Sequence, residues 1–144
     1  MTQENKDLLI KDLSARVPYG VKFVIDNGLN NVRTLTGIGE DIPYEDWQMC
    51  AFARGISAIP IEYIKPYLFP MSSMTEEQRE ELKREYCNIA CDNIKKMFAN
   101  PDESHLYSSK SSSFEIDYFN KHHIDYRGLI PMGLANDATG LNIY

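Results

Sequence analysis

YGVKFVIDNGLNNVRTLTGI, residues 19–38, decides the fold class. Tyr19, Val21, Phe23 and Ile25 alternate with polar or small residues, which predicts a strand with one face toward a core. Asp26-Asn27-Gly28 supplies residues that tolerate positive φ, so a tight turn follows. Val32 to Ile38, with β-branched Val32, Thr34 and Thr36, predicts the returning strand. Gly37 and Gly39 weaken its end and mark a bulge.

Outward from this hairpin, Thr2 to Ala15 predicts a helix capped by Thr2 and ended before Pro18. Ile10, Leu13 and Val17 would form its apolar face, leaving Lys6, Lys11 and Asp12 in water. Gly39 to Asp46 reads as a loop and Trp47 to Phe52 as a third strand. Ile56 to Leu68, punctuated by Pro60 and Pro66, reads as a short strand or one helical turn leading into an extended loop.

Thr75 to Ala99 is a long amphipathic helix. Thr75 and Gln78 form a capping-box pattern, and Glu76, Glu77, Glu80 and Glu81 crowd the positive end of the helix dipole. Lys95 and Lys96 complement the other end, and Pro101 follows the stop. Leu82, Tyr86, Ile89, Ala90, Ile94, Met97 and Phe98 make one stripe.

Residues 104–113 are serine-rich and predict a mobile loop. Glu115 to His123 predicts a short helix with Ile116, Phe119 and His123 on one face. Residues 125–135, with glycines at 128 and 133, read as a compact turn or a final helix, and 136–144 read as a loose tail. The expected fold is α+β in a single domain, 1–144. It comprises an N-terminal helix, a small antiparallel sheet of three to five strands curled like a small barrel, one long amphipathic helix and a short helical C-terminal motif.

With 43% hydrophobic residues in 144, the chain can build a core without staples. A net charge of −6 and the lack of a Lys/Arg cluster argue against a nucleic-acid partner. No apolar run approaches the roughly 18 residues of a membrane span, and no signal peptide is read at the N-terminus. Three cysteines do not make a secreted disulfide scaffold, so the expected location is cytoplasmic.

Three segments carry a resemblance: VPYGVK at 17–22, IKPYLFPMSSMTEE at 64–77 and DYFNKHHIDYRGLIPMGLA at 117–135. Across about Leu9 to Ala135, the chain resembles a family of short proteins found in gut bacterial genomes, prophages and phages. That family brings no assigned activity and no catalytic residues. The resemblance implies a mobile-element context and an accessory role.

The chemistry-bearing candidates are few. His122 or His123 with Asp125 and Arg127 could serve acid–base chemistry on a small or phosphorylated substrate. Adjacent helical residues point about 100° apart, however, so both histidines would not serve one site. The plainer reading packs His123 on the Ile116/Phe119 face, with His122 and Arg127 fixing a helix end. Tyr126-Arg127-Gly128 could cradle a phosphate on Arg127 and backbone N–H groups.

Cys87 and Cys91 share a helix face, and zinc could be drawn with His105 or His122. The mid-helix spacing is unlike a zinc knuckle, so no metal and no cofactor is expected. Gly37-Ile38-Gly39 lacks the third glycine of a nucleotide loop. The proline-framed segment 65–71 presents Tyr67, Phe69 and Met71, either to seal the core or to anchor a partner.

The leading expectation is therefore a non-enzymatic accessory protein that binds a protein partner or forms a homodimer. Its surface would be Tyr67, Phe69 and Met71 with His122, Asp125, Tyr126 and Arg127. An enzyme using the histidine constellation is the alternative.

Overall fold

The structure is a computed structural model that describes residues 1–26, 31–43, 46–99 and 104–144, with side chains described outside 89–112. The expected turn at Asn27-Gly28 and the stop at Pro101 lie outside the described residues. So do the side chains of the expected stripe beyond Tyr86.

Helix α1 (Gln3–Arg16) starts where Thr2 Oγ1 accepts the Asn5 N–H at 3.2 Å, a side-chain N-cap. It ends before Pro18, and a single 3₁₀ turn over Val17–Tyr19 leads to the sheet. Its buried residues are Leu9, Asp12, Leu13 and Arg16. Asp12 thus corrects the expectation that it lies in water, and the inward face is rotated from the Ile10/Leu13/Val17 stripe.

The strands are β1 (Lys22–Ile25), β2 (Arg33–Asp41), β3 (Gln48–Ala53), β4 (Ile56–Pro60), β5 (Ile64–Pro70), β6 (Ile124–Asp125) and β7 (Asn136–Asp137). They form one seven-stranded sheet in the order β4-β3-β2-β1-β5-β6, with β7 also on β5. β1 to β4 make an antiparallel meander, and β5 returns antiparallel to β1. β6 and β7 run parallel to β5. The sheet is open rather than barrel-like and larger than three to five strands. The register of β2 shifts against β3 between Leu35 and Gly37, placing a bulge at the first glycine.

β5 is the main addition, because Pro66 and Pro70 argue for a loop there. Its ladders are short, with three paired positions to β1 and two each to β6 and β7. Such ladders leave positions where no N–H is needed, so prolines are tolerated. Ile64, Pro66 and Leu68 point into the core, while Lys65, Tyr67 and Phe69 are half-buried.

Helix α2 (Glu76–Ala99) opens on the expected capping box. Thr75 N–H donates to Gln78 Oε1 at 3.0 Å, and Gln78 N–H donates to Thr75 Oγ1 at 3.1 Å. Helix α3 (Ser104–Lys121) replaces the serine-rich loop expected at 104–113 and the shorter helix at 115–123. Serine lowers helix propensity only modestly, and residues 104–121 contain neither Gly nor Pro. Among the described side chains of α3, Tyr118 is the buried aromatic, whereas Ile116 is exposed. The Tyr118 hydroxyl reaches Glu81 Oε2 at 2.9 Å, tying α3 to α2.

Residues 136–144 are docked rather than loose. Ala138 is buried and its N–H donates to Leu68 O at 2.8 Å. The main core joins Leu9 and Leu13 of α1 to Phe23, Leu35, Ile64, Leu68 and Leu129. A smaller cluster of Met74, Tyr118 and Ile124 packs with Phe69, Leu82 and Phe119. No helix among the described residues is long and apolar enough to cross a membrane.

Candidate functional site

The segment after α3 holds most of the candidate residues, and backbone geometry separates them. His123 has a left-handed φ of 55°, where glycine is usual, and so reverses the chain at the helix end. Its carbonyl accepts the Phe69 N–H at 2.9 Å, which delivers Ile124 and Asp125 to the end of β5.

Asp125 is buried. Its two oxygens accept the N–H groups of Leu129 and Ile130, each at 2.8 Å. Gly128, at φ 74°, makes the turn between them possible. The carboxylate is therefore the internal frame of the turn and does not orient a histidine.

Beneath this turn lies a buried ion pair absent from the sequence-based candidates. Arg16 and Asp12 are both fully buried and meet in bidentate fashion, Nε to Oδ2 at 2.7 Å and Nη2 to Oδ1 at 3.1 Å. Arg16 also donates to Ile124 O at 2.8 Å and Phe119 O at 3.3 Å, pinning the end of α3 and β6 to α1. Arg127 Nε lies 3.3 Å from Asp12 Oδ1, an ion pair without hydrogen-bond alignment. Its guanidinium sits over the Tyr126 ring, 4.7 Å from the centroid, and that ring stacks on Phe119. Asp125 thus frames the C-terminal turn, while Arg127 and the Tyr126 ring, whose centroid lies 5.6 Å from the Arg16 guanidinium, join it to α1.

His122 and His123 border a cleft of about 470 Å³ between the start of α2, the end of α3 and residues 139–144. His123 stacks on Tyr144, with ring centroids 4.0 Å apart, instead of on Ile116 and Phe119. Tyr144 in turn accepts from Lys22 N–H at 3.0 Å and donates to Tyr67 O at 2.6 Å. His122 lies against Tyr118, centroids 4.4 Å apart. Burial, then neighbouring Lys121, lowers the His122 pKa against an opposing pull from Glu81. Burial, followed by the nearby Arg16, His122 and Lys22 charges, lowers that of His123 to about 4.

Comparison of the chain with protein-family models, curated proteins and solved structures finds no match.

The expected constellation divides in two. Both histidines border the cleft, contrary to the expectation for adjacent helical residues, because α3 ends at Lys121 and His123 is left-handed, while Asp125 and Arg127 are committed to the turn and to Asp12. Of the 65–71 segment, Tyr67 and Phe69 are half-buried, with Phe69 in the smaller cluster and 5.7 Å from the Tyr144 ring. Met71 is 44% exposed. It borders an apolar groove of about 500 Å³ floored by Met74, Leu82 and Phe119 and flanked by Tyr86, with Arg79, Lys83 and Glu115 around it. Among the described residues no three His, Cys, Asp or Glu side chains cluster as metal ligands. Cys87 is exposed, and the side chains of Cys91 and His105 lie outside the described residues.

Sequence reasoning read Leu82 and Phe119 as apolar-face residues but missed Met74 beside them in the groove floor, and it missed Asp12 and Arg16, Tyr144 and Lys121. Only Asp12 and Arg16 left a signal, their i,i+4 spacing, which looks the same on an exposed helix face.

The histidine geometry has a pH consequence. An imidazole with a folded pKa near 4 and an ordinary value of 6.5 stabilises the fold fully above pH 6.5. That contribution is lost as pH falls from 6.5 through 4, because the unfolded chain takes up the proton first. After solvent screening the loss is on the order of 2 kcal/mol. His123→Asn retains a residue tolerant of left-handed φ but removes the titration. Urea unfolding at pH 7 and pH 4 should show wild type losing about 2 kcal/mol more than the variant. An equal loss in both would refute a neutral, buried His123.

Proposed function

We propose that the protein is a non-enzymatic accessory protein whose groove beside Met71 receives an amphipathic segment of a partner protein. The observation that carries this reading is the groove itself: methionine and aromatic side chains open to solvent, with charges at the edge. Thioether side chains adapt to varied apolar partners, and helix-in-groove recognition needs such an apolar trough. Arg79 and Lys83 at its edge favour a segment with carboxylates flanking its apolar residues, although Lys83 also lies 3.8 Å from Glu80. The engagement of Asp125 and Arg127 within the fold weighs against the acid–base alternative.

The test is affinity capture from a bacterial host, with light scattering on the pure protein. The partner is sought first among phage and host proteins, the context the motif resemblance implies. Met71→Glu combined with Tyr86→Glu alters two exposed groove residues, and Trp47→Glu alters a 70% exposed residue immediately before β3 as a control. The expected result is a stoichiometric partner retained by the control and lost by the double variant. A dimer dissolved by the double variant would make the occupant a second copy and overturn the proposal of a different partner. Capture unaffected by the double variant would overturn the groove.

A further inference from the structure

The cleft at His122 and His123 is separate from the groove, and its chemistry differs. We infer that it binds a small molecule carrying an oxyanion on a planar body. Four observations point there. Its volume of about 470 Å³ falls within the range of small-molecule sites.

Its lining is cationic or neutral. Lys121, the two imidazoles, Gln78 and Thr139 contribute, and no Asp or Glu is among the described residues that border it. That is unusual for a chain with 21 acidic residues against 15 basic ones. Lys121 has Glu81, Glu85 and Asp117 around a depression on its other side, but among the described residues no ion pair engages it.

One donor is positioned and the other is within the lining. The capping box uses Gln78 Oε1, which fixes the amide and leaves its NH₂ for other partners. A Lys ammonium and an amide N–H₂ are suited to a carboxylate or phosphate oxygen.

Finally, the back wall is a set of rings. His123 is held in a conformation that glycine adopts at less cost, and its side chain there stacks on Tyr144, beside Phe69. Its Nδ1 is buried without a hydrogen-bond partner. A planar ligand body would lie against this wall while its oxyanion reached Lys121.

The experiment is an NMR titration of the full chain with phenyl phosphate, inorganic phosphate and benzyl alcohol. Phenyl phosphate is expected to move the His122 and His123 ring signals and the Thr139 and Gly140 amides saturably at millimolar concentration. Inorganic phosphate should do so more weakly, and benzyl alcohol not at all. Lys121 is exposed, so Lys121→Gln should fold normally and weaken phenyl phosphate about tenfold, the loss of one charge-assisted hydrogen bond. No saturable shift, equal binding of benzyl alcohol, or unchanged affinity in Lys121→Gln would each overturn the site.

Discussion

Arg16→Met is expected to cost about 3–5 kcal/mol of folding stability, a large share of what a domain of this size possesses. The substitution fills much of the same volume, so the loss is electrostatic rather than steric. It strands the Asp12 carboxylate, which is fully buried and has Arg16 as its bidentate partner. It also takes donors from Ile124 O and Phe119 O, which hold the end of α3 and β6 against α1. Arg127 is too poorly aligned on Asp12 to substitute. The double variant Asp12→Leu with Arg16→Met should recover part of the loss, since a buried pair replaced by apolar groups is often nearly neutral. It should not recover all of it, because two carbonyls still lack a donor. Urea unfolding of the two single variants and the double closes the cycle. A cost below about 1 kcal/mol for Arg16→Met would mean that water reaches Asp12.

That pair also marks where the sequence stops being readable. Local rules were sufficient wherever a residue acts on its near neighbours. Thr2 caps α1, Thr75 and Gln78 cap α2, and Pro18 closes the first helix. The β2–β3 part of the meander and its bulge at Gly37 also follow from local pattern. The rest depends on what packs against what.

Asp12 and Arg16 look like a solvated i,i+4 pair until β6 and α3 supply the carbonyls that Arg16 binds. β5 looks like a loop because its prolines are judged without knowing how few ladder bonds surround it. Residues 136–144 look loose because the Tyr144 contacts span 122 positions to Lys22 and 77 to Tyr67. The same limit applies to the candidate site. His122 to Arg127 are close in sequence, but the left-handed His123 and the Asp125 turn send them to different surroundings. The α+β class depends on the sum of elements and survives these errors.

Asp125→Ala provides the sharpest separation of structural from chemical roles in that motif. It is expected to cost about 2–4 kcal/mol, since two N–H groups in the turn, one on fully buried Leu129, lose a charged acceptor together. Asp125→Asn keeps one oxygen acceptor and should cost about half as much. Loss should concentrate locally. Leu134 and Ala135 N–H groups both bond to Leu129 O, so releasing Leu129 loosens the turn through residue 135. Hydrogen exchange at Leu129, Ile130, Leu134 and Ala135 should accelerate together, alongside a lower urea midpoint. A catalytic base gives the opposite signature, because replacing a carboxylate poised to accept a proton leaves the fold intact and removes turnover. Unchanged stability and exchange in Asp125→Ala would therefore return Asp125 to the catalytic candidates. Accelerated exchange confined to 126–135 would mean that the motif's most conspicuous carboxylate builds the turn beside the cleft, leaving ligand chemistry there to Lys121, Gln78 and the histidine rings.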